Sequence, residues 1–385
     1  MDLPVSVSQR RVVSRRRRRR ALLAFATAAL LGIVGGVLWG RVAGRHTVVP
    51  RRPASTPRGS NRPSATGSAA GSATRRSSAQ AHAGSTAKST TSPGASQTTR
   101  AQRTPAPPAV GLPAGTPAPL LPPKGHAAWL PAHRIVAYYG NPLTAVMGVL
   151  GVYPPAALIA HLQAQAAAYA RVDPKLPVVP ALDMVATVAQ GSPGVGGKYR
   201  LRMTYALAAQ ELALARRNHM LLILDLQVGQ SSVQSEVRYW KPFLEQPDVE
   251  LALDPEFDMP PGKVPGQWVG TMHASAVNWA LHYLSQMVRS RGLPAKIVEV
   301  YEFRSDMLPH WYRIHPQPGT QVVFNTDGFG GQALKIHNYH AFITRQPLKP
   351  VRYGGIKLFY HNDVPLLQPS QVVALKPPPL VVTYQ

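Results

Sequence analysis

Cysteine is absent from this chain of 385 residues. Its absence excludes disulfide-stabilised scaffolds, thiolate zinc sites, cysteine nucleophiles and anchoring through a lipobox cysteine. Acidic residues are scarce in the N-terminal third: residues 1–125 hold 20 of the 42 Lys and Arg residues but one of the 17 Asp and Glu residues. The formal charge of +25 therefore belongs mainly to that third. Because residues 126–385 show no basic stripe interleaved with aromatics, we expect no nucleic-acid partner.

Two widespread catalytic signatures are also missing. The segment Gly140-Asn141-Pro142-Leu143 does not fit the G-x-G-x-x-G fingerprint that binds dinucleotide phosphates, and no G-x-S-x-G elbow of a serine hydrolase occurs. We therefore expect neither a bound cofactor nor Ser-His-Asp chemistry.

The N-terminus has the features of a membrane anchor. Residues 15–20 are six consecutive arginines, and residues 21–39 form an apolar run of nineteen residues without a charge. Such a run can cross a bilayer as a helix, and flanking arginines stay on the cytoplasmic side. The sequence predicts a cytoplasmic tail over 1–20, a signal anchor over 21–39 and an extracytoplasmic remainder. A cleaved signal peptide is the competing interpretation.

Residues 40–125 are dominated by Ser, Thr, Ala, Pro, Gly and Arg, with few large apolar side chains. A segment of this composition buries too little apolar surface to offset the entropy of ordering. We predict a disordered linker that carries the C-terminal domain away from the membrane, toward cell-wall polymers.

Residues 126–385 alternate short apolar runs with helical stretches, a pattern typical of parallel α/β folds. The eight strand-like runs are 134–139, 176–182, 220–226, 249–253, 296–302, 320–325, 355–360 and 380–384. The candidate helices are 155–171, 199–218, 231–244, 273–291, 332–344 and 369–375. Eight strands in this length predict a (β/α)8 barrel, with an open doubly wound sheet as the alternative.

Carboxylates concentrate where these strands end. Seven of the domain's 16 acidic residues follow or close a predicted strand: Asp183, Asp225, Asp254, Glu256, Glu302, Asp327 and Asp363. Other polar and aromatic residues accompany them, namely Tyr138, Tyr139, Gln227, Asn325 and His361. Barrel active sites lie at the C-terminal ends of the strands. Acids, amides and aromatic rings at one mouth predict a carbohydrate site.

The segment Leu253-Asp254-Pro255-Glu256-Phe257 resembles the chitinase-like glycoside hydrolases, whose D-x-E motif ends the fourth barrel strand and supplies the general acid as its Glu. The resemblance implies that Glu256 is that acid. The chain departs from the family's pattern at Val249 and Ala252, where acids precede the pair, and at Thr326, where a Tyr precedes the Asp.

The phrases LALDPEF, GGIKLFYHND and LVVTYQ together resemble a group of anchored extracytoplasmic bacterial proteins, often called lipoproteins, with barrel domains of unassigned activity. This resemblance implies a location and a fold but no substrate. The chain departs from that group in lacking the lipobox cysteine.

A pair of carboxylates can cleave a glycosidic bond when one stays protonated and the other ionised. Asp254 and Glu256 stand two apart on a segment that we expect to be extended, so their side chains should emerge on one side. Asp225, Glu302 or Asp327 would supply the second carboxylate. Alternatively, Asp254 caps a loop and pairs with an arginine such as Arg304.

A metal set is the other chemical alternative. His337 and His340 share one helical face, and His361 with Asp363 would complete a set of four. The histidine pair falls on a predicted outer helix, so we expect no metal. The sequence thus predicts an anchored barrel that binds, and hydrolyses, an envelope or environmental polysaccharide. The alternative is a catalytically inactive binding or scaffold barrel.

Overall fold

Eight parallel strands close into a ring in the computed structural model, which describes residues 110–344 and 352–385. The strands are β1 (Arg134–Gly140), β2 (Val178–Ala189), β4 (Leu221–Leu226), β5 (Val249–Leu253), β6 (Lys296–Glu302), β7 (Thr320–Thr326), β8 (Arg352–Leu358) and β9 (Val381–Tyr384). The predicted tail over 1–20, the anchor over 21–39 and most of the linker lie outside the described residues.

Strand β1 closes the ring because it pairs in parallel with both β2 and β9. Ile135 lies opposite Val179 on one side and Val381 on the other. Each remaining neighbour in the order β2, β4, β5, β6, β7, β8, β9 is also parallel. The predicted barrel is therefore confirmed, and closure excludes the open doubly wound sheet.

Strand β2 departs from the sequence prediction. It runs twelve residues to Ala189 instead of ending at 182, and its last residues pair with a short antiparallel strand, β3 (Arg200–Arg202). The prediction that Asp183 follows this strand is therefore wrong: Asp183 lies within it. The apolar run continues through Val185 and Val188, so Asp183 interrupts the run of apolar residues while the strand itself continues.

Seven helices connect the strands. They are α1 (Pro155–Val172), α2 (Tyr205–Arg217), α3 (Val233–Tyr239), α4 (Lys241–Leu244), α5 (Ala274–Arg291), α6 (Gln332–Ile343) and α7 (Pro369–Val373). Thr204 starts α2, because its hydroxyl accepts a hydrogen bond from the Leu207 N–H at 3.2 Å. This cap explains why the helix begins six residues later than predicted. Between β6 and β7 the described chain makes only a 3₁₀ turn, Trp311–Arg313.

The N-terminal ends of the strands hold buried charges that are paired. Arg216 makes two hydrogen bonds of 2.8 Å to the Asp248 carboxylate, and both residues are buried. Glu250 accepts a hydrogen bond from the Ile297 N–H, and the Lys296 ammonium donates to the Val249 carbonyl at 2.8 Å. Burial still raises the pKa of Glu250 to about 7, although the charge of Lys296 lowers it. We call these four side chains, Arg216, Asp248, Glu250 and Lys296, the paired end of the barrel.

The last part of the predicted linker lies against this end. Leu120 packs on the hydrophobic core, and its N–H donates a hydrogen bond to Asp248 at 3.2 Å. Residues 110–125 contain no helix or strand.

Candidate functional site

Side chains from opposite strands meet inside the ring near the C-terminal ends of the strands. The Tyr301 hydroxyl, on β6, donates a 2.6 Å hydrogen bond to Asp183 on β2, although two strands separate them in the sheet. The Tyr139 and Tyr301 rings stand edge to face with centroids 6.2 Å apart. The Lys357 ammonium, on β8, lies 3.3 Å from the centroid of the Tyr139 ring. These contacts place all four side chains in the barrel interior.

Six carboxyl groups surround this interior space, and we call them the carboxyl cluster. They are Asp183, Asp225, Asp254, Glu256, Glu299 and Asp327. Five are buried, whereas Glu256 is partly exposed. The Lys357 ammonium lowers the pKa of all six, and its side chain is 3% exposed. The cluster thus shares one buried cation among six acids.

Burial is the largest cause of the pKa shifts in the cluster, because a low-dielectric environment disfavours the charged form. It raises the pKa of Asp225 to about 8, with the negative charge of Asp183 as the next cause. The pKa of Asp254 is raised well above its usual range by burial, then by Asp225 and Asp327. We therefore expect several of these groups to hold protons at neutral pH.

Glu256 and Asp327 differ in their electrostatic surroundings. Burial raises the pKa of Glu256 well above its usual range, and the charges of Asp254 and Asp327 raise it further, whereas Lys357 and Arg304 lower it by smaller amounts. Burial also raises the pKa of Asp327, but the ammonium groups of Lys357 and Lys335 both act in the opposite direction. Neighbouring carboxyls with such different surroundings can divide the roles of proton donor and ionised partner.

The segment after β5 turns instead of staying extended. Pro255 begins a 3₁₀ turn, Pro255–Phe257, and Asp254 caps it by accepting a hydrogen bond from the Glu256 N–H at 3.2 Å. The expectation of an extended Asp254–Glu256 segment is therefore wrong, because a proline suits the first position of a helical turn. Asp254 does cap a loop, as the alternative interpretation held, whereas Arg304 forms its ion pair with Asp306.

An amide links Asp254 to the interior. The Gln227 Nε2 group lies 3.4 Å from Asp254 Oδ2 and 3.2 Å from the Tyr139 hydroxyl. Deeper in the barrel, Asn325 donates a 2.8 Å hydrogen bond to Glu299. Tyr139, Gln227 and Asn325 therefore all lie beside the cluster.

The remaining candidates lie elsewhere. Glu302 ends β6 and follows the inward-facing Tyr301, so strand alternation directs its side chain to the outer face. His361 is exposed after β8. Asp363 accepts hydrogen bonds from the Phe359 and Gly330 N–H groups at 2.9 and 2.8 Å, which ties together the loops after β8 and β7. Tyr138 alternates with Tyr139 and lies outside the ring, where it contacts Tyr360.

Sequence reasoning missed three members of the interior: Lys357, Tyr301 and Glu299. Neither Glu299 nor Lys357 is an acid at the end of a strand: Glu299 lies in the middle of β6, and Lys357 is basic. The signal that was available is a lysine within the apolar run of β8, since a charged residue there must be buried and compensated.

Within the described residues, no group of three or more His, Cys, Asp or Glu side chains has an arrangement suited to a metal ion. None of the helices in residues 110–344 and 352–385 has the length and apolar character needed to cross a bilayer. Comparison with known proteins finds no matching family model and no matching curated protein.

Proposed function

We propose that the barrel mouth hydrolyses glycosidic bonds of a polysaccharide, with Glu256 as the proton donor and Asp327 as the ionised partner. The observation that carries the proposal is the contrast between these two carboxyls. Glu256 is the partly exposed member of the cluster, and the two largest charge effects on its pKa, from Asp254 and Asp327, both raise it. Burial raises the pKa of Asp327 as well, but the two largest charge effects there, from Lys357 and Lys335, both lower it.

The chemistry follows from this division. The Glu256 carboxyl donates its proton to the glycosidic oxygen while the bond from that oxygen to the anomeric carbon breaks. The Asp327 carboxylate either bonds to the anomeric carbon or removes a proton from the attacking water. In the first route, ionised Glu256 takes a proton from a water whose oxygen attacks the anomeric carbon, and the bond from that carbon to Asp327 breaks. In the second route, the proton gained by Asp327 returns to Glu256 through solvent. In both routes one water is consumed per bond cleaved.

Polar and aromatic groups at the mouth suit a sugar substrate. Gln227 positions Asp254 beside Glu256, and exposed aromatic rings occur on the connections after β5 and β7, at Trp268 and Phe329. Aromatic faces stack on sugar rings, while amides and hydroxyls bond their hydroxyl groups.

The same proposal includes the location inferred from the N-terminal sequence. The arginines at 15–20 and the apolar run at 21–39 support a single-pass anchor with the barrel outside the cytoplasm. The Ser- and Pro-rich segment that follows supports a reach of roughly 50 Å for eighty flexible residues. An envelope polymer is the substrate that such an arrangement would meet.

Product release from polysaccharides by the full-length chain tests this function. We expect new reducing ends from at least one glycan of a panel of envelope and environmental polysaccharides. Glu256→Gln should lower the rate about 10²–10⁴-fold, the range for loss of a general acid. Glu245→Gln is the matched control, because Glu245 pairs with Lys241 and Arg291 in surface ion pairs. Glycan binding without release would favour the inactive binding barrel, and full activity in Glu256→Gln would reject the assignment.

A further inference from the structure

A recess of about 320 Å3 opens on the outer side of the barrel, away from the carboxyl cluster. Its walls come from the end of β1, the residue Tyr153 before α1, the middle of α1 and the loop after β8. The lining residues are Tyr138, Tyr153, His161, Ala164, Gln165 and Tyr360, and we call this site the tyrosine recess. Its volume lies at the lower end of the range of about 300–1,000 Å3 for small-molecule sites, which suits a single ring.

The walls of the recess carry no Asp, Glu, Lys or Arg. Burial raises the pKa of both the Tyr138 and the Tyr360 hydroxyls, so these groups stay neutral over the physiological range. The recess therefore offers rings, hydroxyls and an amide, without a formal charge to bind an ionic ligand.

Two aromatic rings are accessible at the recess. Tyr153 is 40% exposed, and its ring lies against the exposed His161 ring with centroids 4.5 Å apart and planes at 34°. Deeper inside, the Tyr138 and Tyr360 rings meet edge to face at 6.3 Å. An exposed aromatic pair that is not covered by the protein provides a surface on which the apolar face of a ring can stack.

Hydrogen bonds are shorter behind the recess than among its lining residues. Behind the lining, the buried Tyr169 and Tyr384 hydroxyls lie 2.8 Å apart, and Gln165 donates to Tyr384 at 3.0 Å. Among the lining residues, the Tyr360 hydroxyl faces both Tyr138 at 3.2 Å and the Gln165 Oε1 at 3.4 Å. These separations exceed the usual range of about 2.5–3.0 Å for hydroxyl donors.

The Tyr138 hydroxyl, the Tyr360 hydroxyl and Gln165 Oε1 form a chain of two long contacts. Each tyrosine hydroxyl can donate and accept, so the chain can be satisfied within the protein. Because both contacts are long, a ligand hydroxyl placed among these groups can form shorter hydrogen bonds than the protein forms with itself.

We propose that the tyrosine recess binds one neutral sugar ring, separately from the barrel mouth. Ring stacking on Tyr153 and hydroxyl bonds to Tyr138, Tyr360 and Gln165 match the two kinds of surface that a sugar presents. A quaternary ammonium ion also binds aromatic cages, but it forms no hydrogen bonds and would make no use of the Tyr138 and Tyr360 hydroxyls or the Gln165 amide. Binding here does not depend on hydrolysis at the mouth, so either proposal can fail alone.

Saturation-transfer NMR tests the recess with the full-length chain in a detergent that has no sugar headgroup. The probes are the methyl glycosides of glucose, galactose, mannose and N-acetylglucosamine, with choline as the cationic comparison. We expect at least one glycoside to bind the unmodified protein. Tyr153→Ala and Tyr360→Phe should each weaken that binding, Tyr153→Ala by about tenfold through loss of the stacking surface.

Tyr312→Ala is the control, because Tyr312 is 54% exposed and lies outside the recess. It should bind the glycoside as the unmodified protein does. Circular dichroism on each variant verifies that the barrel is folded, and Tyr360→Phe removes only a hydroxyl. Absence of glycoside binding, binding of choline alone, or binding unchanged in both recess variants would overturn the proposal.

Discussion

The two ends of the barrel bury charge in opposite ways. At the paired end, Asp248 has Arg216 within 2.8 Å, and Lys296 and Glu250 are bonded to neighbouring backbone groups. At the other end, six carboxyls share the ammonium of Lys357. Paired buried charges maintain a fold, whereas a surplus of one sign costs stability and is typical of functional sites. The difference supports the proposal that the C-terminal end is the functional end of the barrel.

Removing a charged partner from the paired end should cause the largest change in the free energy of unfolding. Arg216→Ala leaves the Asp248 carboxylate buried without its bidentate partner, so we expect the free energy of unfolding to fall by about 3–5 kcal/mol. Urea denaturation at pH 7 measures it. Arg217→Ala, at the exposed next position, should change stability by less than about 0.5 kcal/mol. Equal effects of the two substitutions would remove the distinction between the ends.

Neutralising an acid of the carboxyl cluster should raise the free energy of unfolding. Folded Asp225 holds its proton up to about pH 8, whereas the unfolded chain releases it near pH 4. Between these values the folded state binds more protons, so the contribution of this group to stability falls as pH rises. At pH 8, Asp225→Asn should therefore raise the free energy of unfolding by roughly 1–3 kcal/mol.

The pH dependence makes this second prediction specific. Denaturation of Asp225→Asn and the unmodified protein at pH 5 and pH 8 should show the smaller difference at pH 5. Asp248→Asn provides the comparison from the paired end and should destabilise at both values. A destabilised Asp225→Asn at pH 8 would mean that the carboxylate is well compensated there.

Removing a single hydroxyl from the barrel interior should cause the smallest change in the free energy of unfolding. Tyr301→Phe removes the donor of the 2.6 Å hydrogen bond to Asp183 and leaves the ring in contact with Tyr139. We expect a loss of about 1 kcal/mol and a further rise in the pKa of Asp183, because this bond favours its ionised form. Thermal unfolding measures the loss. A loss as large as that of Arg216→Ala would place Asp183 among the fully ionised, paired groups.

Much of the fold follows from local sequence. The apolar runs predict all eight barrel strands because strands of a parallel barrel are buried on both faces. Two predictions fail, each at a single residue. Asp183 interrupts an apolar run without ending the strand, and Pro255 begins a turn where an extended segment was expected.

The site is less accessible to sequence reasoning. Tyr138 and Tyr139 are the same residue type, but side chains alternate along β1, so the Tyr138 ring lies outside the barrel and the Tyr139 ring inside. The compensation of Asp225 by Lys357 joins residues more than a hundred positions apart, and only closure of the ring brings them together. Glu299 and Glu302 differ in the same way: Glu299 faces the interior from the middle of β6, whereas Glu302 faces outward from its end.

Infrared spectroscopy of the carboxyl carbonyl stretch, followed against pH in heavy water, shows whether the carboxyl cluster holds protons at neutral pH, since protonated and ionised carboxyls absorb separately. At pH 7 we expect a protonated-carboxyl band in the unmodified protein. The band should be weaker in both Asp225→Asn and Glu256→Gln and unchanged in Glu245→Gln. A spectrum in which every carboxyl is ionised at pH 7, with the band present only below about pH 5, would contradict this expectation.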